Sequence, residues 1–326
     1  MSLRHGRALI VAALVASALV AAVPGAAAAA RDPRRGTWVL QEASSVKALN
    51  RSASAIRSAL RHEGVIGLSI RVPWSSLEHR QGVYDLRIVR RAKELVGGKQ
   101  LSIGFMAGRF TPSFRRGHSM VYDGSATGGR GAGAVIPLPF ARDGGPNHAF
   151  ERGWNRLSSR LATWARHHGV RLLHLSWPGL LWAELALVDQ MMRQPGYSYA
   201  AARNTHRRIL SAGLRLSTRR MHVAFATTGH APNELRMDLQ RTLLASPRVR
   251  RCYFQANNVE PSGWGLPSDP PPPKRGAQMV QASNTYDWGA VYRAVRNMYA
   301  TYLEVYTPSF SGGTSSQLLA QAADFA

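Results

Sequence analysis

The chain has 326 residues and a formal net charge of +24, with 42 lysines and arginines against 18 acidic residues. This length suits one large α/β domain, and the lone cysteine, Cys252, excludes an intramolecular disulfide. The arginines are scattered, and no long basic run interleaves with aromatic residues, which argues against a specific nucleic-acid partner. We attribute the positive net charge to a general bias of the composition toward arginine, combined with few acidic residues. A weak attraction to anionic cell-envelope polymers is the alternative consequence.

The first 30 residues have the composition of a secretory signal peptide. Arg4 and Arg7 give a positive start, Leu9–Val23 forms an apolar core, and Ala26–Ala30 offers small residues for cleavage. The apolar stretch is short and has no stop-transfer flank, so no permanent membrane span is expected. We therefore expect a secreted or cell-envelope-associated protein whose residues 31–326 fold as one domain.

Apolar strand-like runs alternate with amphipathic helix-like runs along the rest of the chain, which predicts α/β architecture with a parallel sheet. The strand candidates are Thr37–Gln41, Val65–Val72, Leu101–Met106, Val170–Ser176, Met221–Thr227, Val249–Ala256, Ala277–Ala282 and Thr301–Thr307. Eight such units at this length predict a single closed (β/α)8 barrel, the TIM barrel.

Two connections depart from this regularity. A long loop, Gly108–Phe150, separates the third strand from the third helix, and we expect it to be mobile and to cover a cleft. Its glycine-rich part, Gly128–Gly133, lacks the flanking strand and helix that a phosphate-binding loop requires. Prolines 270–273 lie between strands six and seven, and they predict an extended segment there in place of a regular helix.

The exit of the second strand carries the most specific motif. Residues 71–85 read R-x-x-W-x-x-L-E-x-x-x-G-x-Y-D. This pattern resembles the second strand and following loop of clan A (β/α)8 glycoside hydrolases, particularly their β-galactosidase and cellulase members. His79 replaces the usual proline of that pattern, and Leu86 replaces the usual phenylalanine. The resemblance implies a TIM barrel and a carbohydrate substrate, and it extends over nearly all of the mature chain.

The resemblance also implies a general-acid glutamate after strand four and a nucleophilic glutamate at the end of strand seven. Glu184 follows strand four, with Ala183 where the family has asparagine. Strand seven has no glutamate, so the substitutes for the second carboxylate are Glu304 and, less favoured, Asp287. Alternation along strand eight directs Glu304 into the barrel. An internal ion pair between Glu304 and Arg71 is therefore the alternative to a catalytic role.

The strand ends together form a ring of aromatic, amide, basic and acidic side chains, beginning with Gln41 and Glu42 on strand one. Aromatic rings stack on sugars and amides bond their hydroxyls, so this ring favours a carbohydrate ligand. Core packing is the alternative for each tryptophan. The predicted substrate-binding residues are Arg71, Trp74, Arg109, Trp177, His230, Gln255, Asn257, Gln281, Tyr286, Trp288 and Tyr306.

Two functions are favoured at this point, and a binder of envelope polyanions driven by charge is a third, weaker hypothesis. The first is an O-glycosyl hydrolase that acts through two carboxylates at the carboxyl-terminal face of the barrel. The second is a non-catalytic carbohydrate-binding protein, or cell-envelope-associated pseudo-glycosidase, built on a degenerate hydrolase barrel. Neither requires a cofactor or a metal ion.

Overall fold

A computed structural model describes residues 32–227, 229–259, 274–279 and 286–326. Eight parallel strands close into a barrel, in which the first strand pairs with both the second and the eighth. In chain order, the barrel strands are β1 Gly36–Glu42, β2 Val65–Pro73, β3 Gln100–Met106, β4 Leu172–Leu175, β5 His222–Ala226, β6 Cys252–Val259, β7 Arg275–Met279 and β8 Ala300–Tyr306. The predicted (β/α)8 fold is confirmed.

Helices lie between the strands on the outside of the barrel. The longer ones are α1 Ala53–Leu60, α2 Arg87–Val96, α3 His148–His167, α4 Tyr199–Leu216, α5 Asn233–Leu244, α6 Trp288–Asn297 and α7 Ser315–Phe325. Single turns of α-helix occupy Val46–Arg51, Trp74–Leu77, Ser113–Arg116 and Asp189–Met192. Turns of 3-10 helix occupy Gly108–Phe110, Ser125–Thr127, Val249–Arg251 and Thr307–Ser311.

Two elements differ from those predicted from the sequence, and two predicted segments lie outside the described residues. Val249–Arg251, expected as the start of the sixth strand, is a 3-10 turn, and the strand begins at Cys252. Helix α7 was not anticipated; its apolar side packs on α6. The proline segment between β6 and β7 lies outside the described residues, as does the predicted leader. Among the described residues, no helix is long and apolar enough to cross a membrane.

Strand alternation divides the barrel wall into an inner and an outer face. On β8, Leu303 and Val305 pack outward against α6 and α7, whereas Tyr302 and Glu304 face the interior. At the adjoining position of β7, a Cβ atom on Gly276 would lie 2.2 Å from the Tyr302 ring, so only glycine fits there. The predicted inward direction of Glu304 is therefore confirmed.

The motif at the exit of β2 folds into a closed structural unit. Glu78 is fully buried and accepts hydrogen bonds from Trp74 Nε1 at 2.9 Å and from the Gly82 amide at 2.9 Å. The Arg115 guanidinium also contacts the Glu78 carboxylate. Burial alone would raise the pKa of Glu78, but these hydrogen bonds outweigh it and lower the pKa. Glu78 thereby joins the short hairpin Glu78–Arg80 and Val83–Tyr84 to the following loop.

The long loop between β3 and α3 is ordered by a hairpin, Ser119–Val121 with Val135–Pro137, and by one asparagine. Asn147 is buried, and its side-chain amide donates to three carbonyl oxygens of the loop at 2.7–3.0 Å. Its Oδ1 accepts the Phe150 amide and so begins α3. The base of the loop is therefore fixed to the helix that follows it.

Candidate active site

A pocket of about 380 Å³ opens where the barrel strands end. Glu42, Met106 and Tyr306 are the last residues of β1, β3 and β8, which places the pocket at the carboxyl-terminal face, the functional face of this fold. Loops complete its walls. The lining residues are Glu42, Arg71, Met106, Ala126, Thr127, Arg130, Trp182, Ala183, Glu184, Gly229, His230, Asn257, Gln278 and Tyr306.

Glu42 is the first of two carboxyl groups in this pocket. Burial raises its pKa, and the charge of Glu184 raises it further. The Arg71 and Arg109 charges and a hydrogen bond from Tyr306 Oη, at 3.4 Å, act in the opposite direction without cancelling the increase. Glu42 is therefore a carboxyl group that holds its proton to a higher pH than usual.

Glu184 is the second carboxyl group, and the backbone of its own loop holds it in place. Its Oε1 accepts the Leu181 amide at 2.8 Å, and its Oε2 accepts the Trp182 amide at 2.9 Å. Glu184 is 8% exposed, so it reaches the pocket from a largely buried position. The loop is tied to the end of β5 because the Leu187 amide donates to the His230 carbonyl at 2.8 Å.

A chain of hydrogen bonds leads from the barrel interior to the first carboxyl group. Tyr302 Oη donates to Gln255, and the Gln255 amide donates to Asn257 and Gln278 at 2.8 and 2.9 Å. Gln278 Nε2 lies 3.3 Å from Tyr306 Oη. Burial, and secondarily the charge of the neighbouring carboxyl, raise the pKa of Tyr306, so its hydroxyl remains a donor. These amides present fixed donors and acceptors to the pocket.

Below the pocket, Arg71 and Glu304 form the internal ion pair that the sequence suggested. Glu304 is fully buried, and Arg71 Nη2 lies 2.7 and 2.6 Å from its two oxygens. Ser69 Oγ donates to Glu304 Oε1 at 2.6 Å. Burial would raise the pKa of Glu304, but Arg71 and His174 lower it to about 2. Glu304 is therefore a structural carboxylate, and its assignment as a catalytic residue was wrong.

His174 completes this internal network as a neutral imidazole. Burial and the Arg71 charge lower its pKa to about 4. Its Nδ1 lies 2.8 Å from Arg71 Nη2, so Nδ1 accepts and the proton sits on Nε2, which lies 3.1 Å from Glu304. That contact does not have full hydrogen-bond geometry, and it is not an ion pair at neutral pH. Arg71 is thus held from below while it lines the pocket above.

Four other predicted site residues lie elsewhere. Asp287 is exposed and caps α6 by accepting the Ala290 amide at 3.0 Å, so it is no candidate for the second carboxylate. Trp74, Trp177 and Trp288 are fully buried, and their indole nitrogens donate to Glu78, the Ala226 carbonyl and Thr314, respectively. These tryptophans pack in the core, and their assignment to substrate binding was wrong.

The remaining predicted residues divide between the pocket and its surroundings. Arg71, His230, Asn257 and Tyr306 line the pocket, and Gln255 supports it from within. Arg109 lies outside the lining, with its guanidinium 5.5 Å from the Trp182 ring, and it acts on Glu42 through charge. Tyr286 packs edge-on against Trp288, 5.8 Å away, and does not line the pocket. Gln281 lies outside the described residues.

Sequence reasoning missed several pocket residues. Glu42 was recognised as a strand end but not as half of a carboxyl pair, and its position as the last residue of β1 was the available signal. Gln278 points inward from β7 by the same alternation that applies to β8. Thr127 and Arg130 come from the long loop, where no sequence signal marked them as pocket residues.

The chain is similar in fold to solved structures with which it shares little sequence identity. No protein-family model and no curated protein matches it. The β-amylase catalytic domain from Paenibacillus polymyxa superposes with a TM-score of 0.54 at 9% identity, covering 91% of this chain and 98% of that one. A D-allulose 3-epimerase from Methylomonas sp. superposes with a TM-score of 0.46 at 10% identity, covering 90% of this chain and 98% of that one.

The fold and the pocket define a class. The protein is a (β/α)8 barrel with two neighbouring carboxyl groups in one pocket at its carboxyl-terminal face. At 9% identity, the likeness to the β-amylase domain supports the barrel fold. Among the described residues, no group of histidine, cysteine, aspartate and glutamate side chains is arranged to hold a metal ion.

Proposed function

We propose that the protein hydrolyses a glycosidic bond in a carbohydrate, with Glu42 and Glu184 as its two carboxyl groups. One observation carries the proposal: both line one pocket at the functional face of the barrel, close enough for Glu184 to raise the pKa of Glu42. Glycoside hydrolysis needs one protonated and one ionised carboxyl group on either side of the bond. Two carboxyl groups in one pocket, with the pKa of Glu42 raised, support this assignment.

The environment of each carboxyl group suits a different role. Glu42, with its raised pKa, is the general acid that protonates the leaving oxygen. Glu184, which accepts two backbone amides and is held in place by them, is the second carboxyl group, which acts on the sugar or on water. This assignment reverses the role that the clan A resemblance implied for Glu184. Membership of that clan remains part of the proposal, and β7 departs from its pattern because it ends without a glutamate over 275–279.

The other pocket residues suit a sugar. Trp182 offers an indole face, and Asn257, Gln278 and His230 offer hydrogen-bonding groups for hydroxyls. Arg71 is immobilised from below by Glu304, which makes it a rigid donor toward the ligand. The several neutral polar groups of the lining favour a sugar unit in the pocket.

The test is hydrolysis of a panel of glycans by the wild-type protein and by Glu42→Gln and Glu184→Gln. Each variant is expected to lose at least about 100-fold in kcat/KM, because removing a general acid or base costs about 10²–10⁴. Glu94→Gln, on an exposed helix face, is the matched control and is expected to retain activity. Full activity in either pocket variant with intact folding would sink the assignment.

A second candidate function, carbohydrate binding without cleavage, is favoured by one contact. Both oxygens of Glu184 are already engaged by backbone amides, an arrangement that also suits a purely structural carboxylate. Calorimetric titration with the same glycans, followed by chromatography of the mixture, separates the two functions. Saturable binding without any shorter product would support this candidate over hydrolysis.

We also propose that residues 1–30 direct export. Amino-terminal sequencing of the protein recovered outside the cytoplasm should then begin near residue 31. Recovery of the intact amino terminus in the cytoplasmic fraction alone would contradict export.

A further inference from the structure

A second feature of the molecule lies on the outside of the barrel, along α3. Three adjoining cavities of about 670, 640 and 280 Å³ share wall residues: Tyr84 and Arg160 join the first two, and Asn155 joins the second and third. We refer to these three adjoining cavities together as the α3 furrow. None of its lining residues lines the pocket at the strand ends.

One face of α3 forms the floor of the furrow. Its lining residues on this helix recur at helical spacing, from Asn155 and Arg156 through Ser159 and Arg160 to His167. Asn155 to His167 spans about 18 Å at 1.5 Å per residue. A furrow of that length accommodates an extended chain better than a compact metabolite.

The walls of the furrow are strongly basic. Arg87 is neutralised by Asp85 at 2.7 Å, and Arg208 by Glu151 at 2.6 Å. In the described part of the chain, no acidic side chain lies within salt-bridge distance of Arg90, Arg156 or Arg160, and all three are exposed. These three guanidiniums, all in the first two cavities, favour a polymer with repeated anionic groups.

The polar groups between the arginines favour a sugar backbone. Asn155, Ser159 and Thr163 offer an amide and hydroxyls along the floor. Single-stranded nucleic acids need successive aromatic faces on which bases stack. The lining offers the Trp164 ring, on which the His168 imidazole already stacks at 3.9 Å and 10°, and the Tyr84 ring in the wall, which does not make a run of free aromatic faces.

From these contacts we infer that the α3 furrow binds an anionic glycan, a sugar polymer carrying carboxylate, sulfate or phosphate groups. Guanidiniums pair with these groups through parallel N–H donors, and the hydroxyls and amide bond the sugar oxygens. The furrow would hold the protein on such a polymer while the pocket at the strand ends remains free.

Binding of the full-length protein to heparin and to polygalacturonate, measured at about 0.15 M salt, tests the inference. The triple variant Arg90→Gln/Arg156→Gln/Arg160→Gln should weaken binding to one or both polymers by about tenfold. The matched control is Arg51→Gln/Arg57→Gln/Arg250→Gln, which removes the same charge from exposed arginines outside the furrow. That control should change affinity less than twofold.

Each outcome decides the matter. Loss confined to the furrow variant supports the site; loss on polygalacturonate shows that carboxylates suffice, and loss on heparin alone shows that sulfates are needed. Equal weakening in both variants would mean that net charge alone drives binding and would overturn the site. Furrow-dependent binding of single-stranded DNA that exceeds both glycans, or no binding of either glycan, would overturn the glycan assignment. Because the substituted side chains are exposed, unchanged urea unfolding of both variants is the control for folding.

Discussion

The interior of the barrel and the pocket above it each contain a glutamate whose pKa is shifted, and the two shifts have opposite signs. Inside, Glu304 is surrounded by Arg71 and Ser69, and its pKa falls to about 2. In the pocket, Glu42 is half-buried, and the loss of solvent around it outweighs the charge of Arg71, so its pKa rises; the Glu184 charge adds a smaller increase. Desolvation raises the pKa of both glutamates, and Arg71 lowers it in both. Arg71 bonds Glu304 directly and acts on Glu42 through charge alone, so the strength of the pairing with Arg71 separates the structural glutamate from the pocket glutamate.

The largest expected effect is on stability. Glu304→Gln leaves the Arg71 charge buried without its counter-ion, which should lower the free energy of unfolding by about 3–5 kcal/mol. Glu42→Gln, the same change in the pocket, should alter it by less than about 1 kcal/mol. Urea unfolding followed by tryptophan fluorescence measures both. Equal destabilisation by the two substitutions would remove the distinction between interior and pocket.

The pH dependence of stability should separate the two glutamates by sign. The native pKa of Glu304 is lowered from 4.5 to about 2, so its stabilising contribution is complete above pH 4.5 and is lost as the pH falls toward 2. The native pKa of Glu42 is raised, so its ionisation costs stability as the pH rises through that pKa. The free energy of unfolding of the wild type minus that of Glu304→Gln should therefore shrink on acidification. The corresponding difference for Glu42→Gln should grow.

Unfolding curves between pH 3 and 7 measure these differences. His174 adds a background slope in every variant that retains it, because its pKa of about 4 means that the unfolded chain takes up a proton first as the pH falls below about 6.5. If the difference in free energy of unfolding changed with pH in the same direction for both glutamates, the opposite pKa shifts assigned to Glu304 and Glu42 would be contradicted.

The smallest effects concern the tryptophans of the two regions. Trp177→Phe leaves the buried Ala226 carbonyl without its indole donor and should cost about 1–3 kcal/mol of stability. Trp182→Phe, in the pocket, should change stability by less than about 0.5 kcal/mol while weakening glycan binding. Thermal unfolding and calorimetric titration of both variants compare them. Weakened binding in Trp177→Phe at full stability would return that residue to the ligand site.

The barrel was predictable from sequence because buried parallel strands are continuous apolar runs and the intervening helices have a period near 3.6. Predicted and observed strands such as Val65–Val72 and Val65–Pro73 differ by single residues. The inward direction of Glu304 and its pairing with Arg71 followed from alternation and from the adjacency of strands across the closure.

The composition of the site was harder to predict, for two physical reasons. Spacing along a strand does not reveal whether an indole beyond its end finds an internal acceptor, as Trp177 does, or lines the pocket, as Trp182 does. Which strand ends face each other across the mouth depends on closure of the barrel. The neighbourhood of Glu42 and Glu184 was therefore beyond the reach of local patterns.

The anchoring of the long loop has a consequence for how the protein could change its ligand. Asn147 fixes the base of the loop, whereas the tip supplies Ala126, Thr127 and Arg130 to the pocket wall. The tip can therefore vary in sequence while the base of the loop keeps its position. Exchange of residues 125–130 would change one wall of the pocket and leave Glu42 and Glu184 in place, so the shape of the pocket can change without a change in its carboxyl groups.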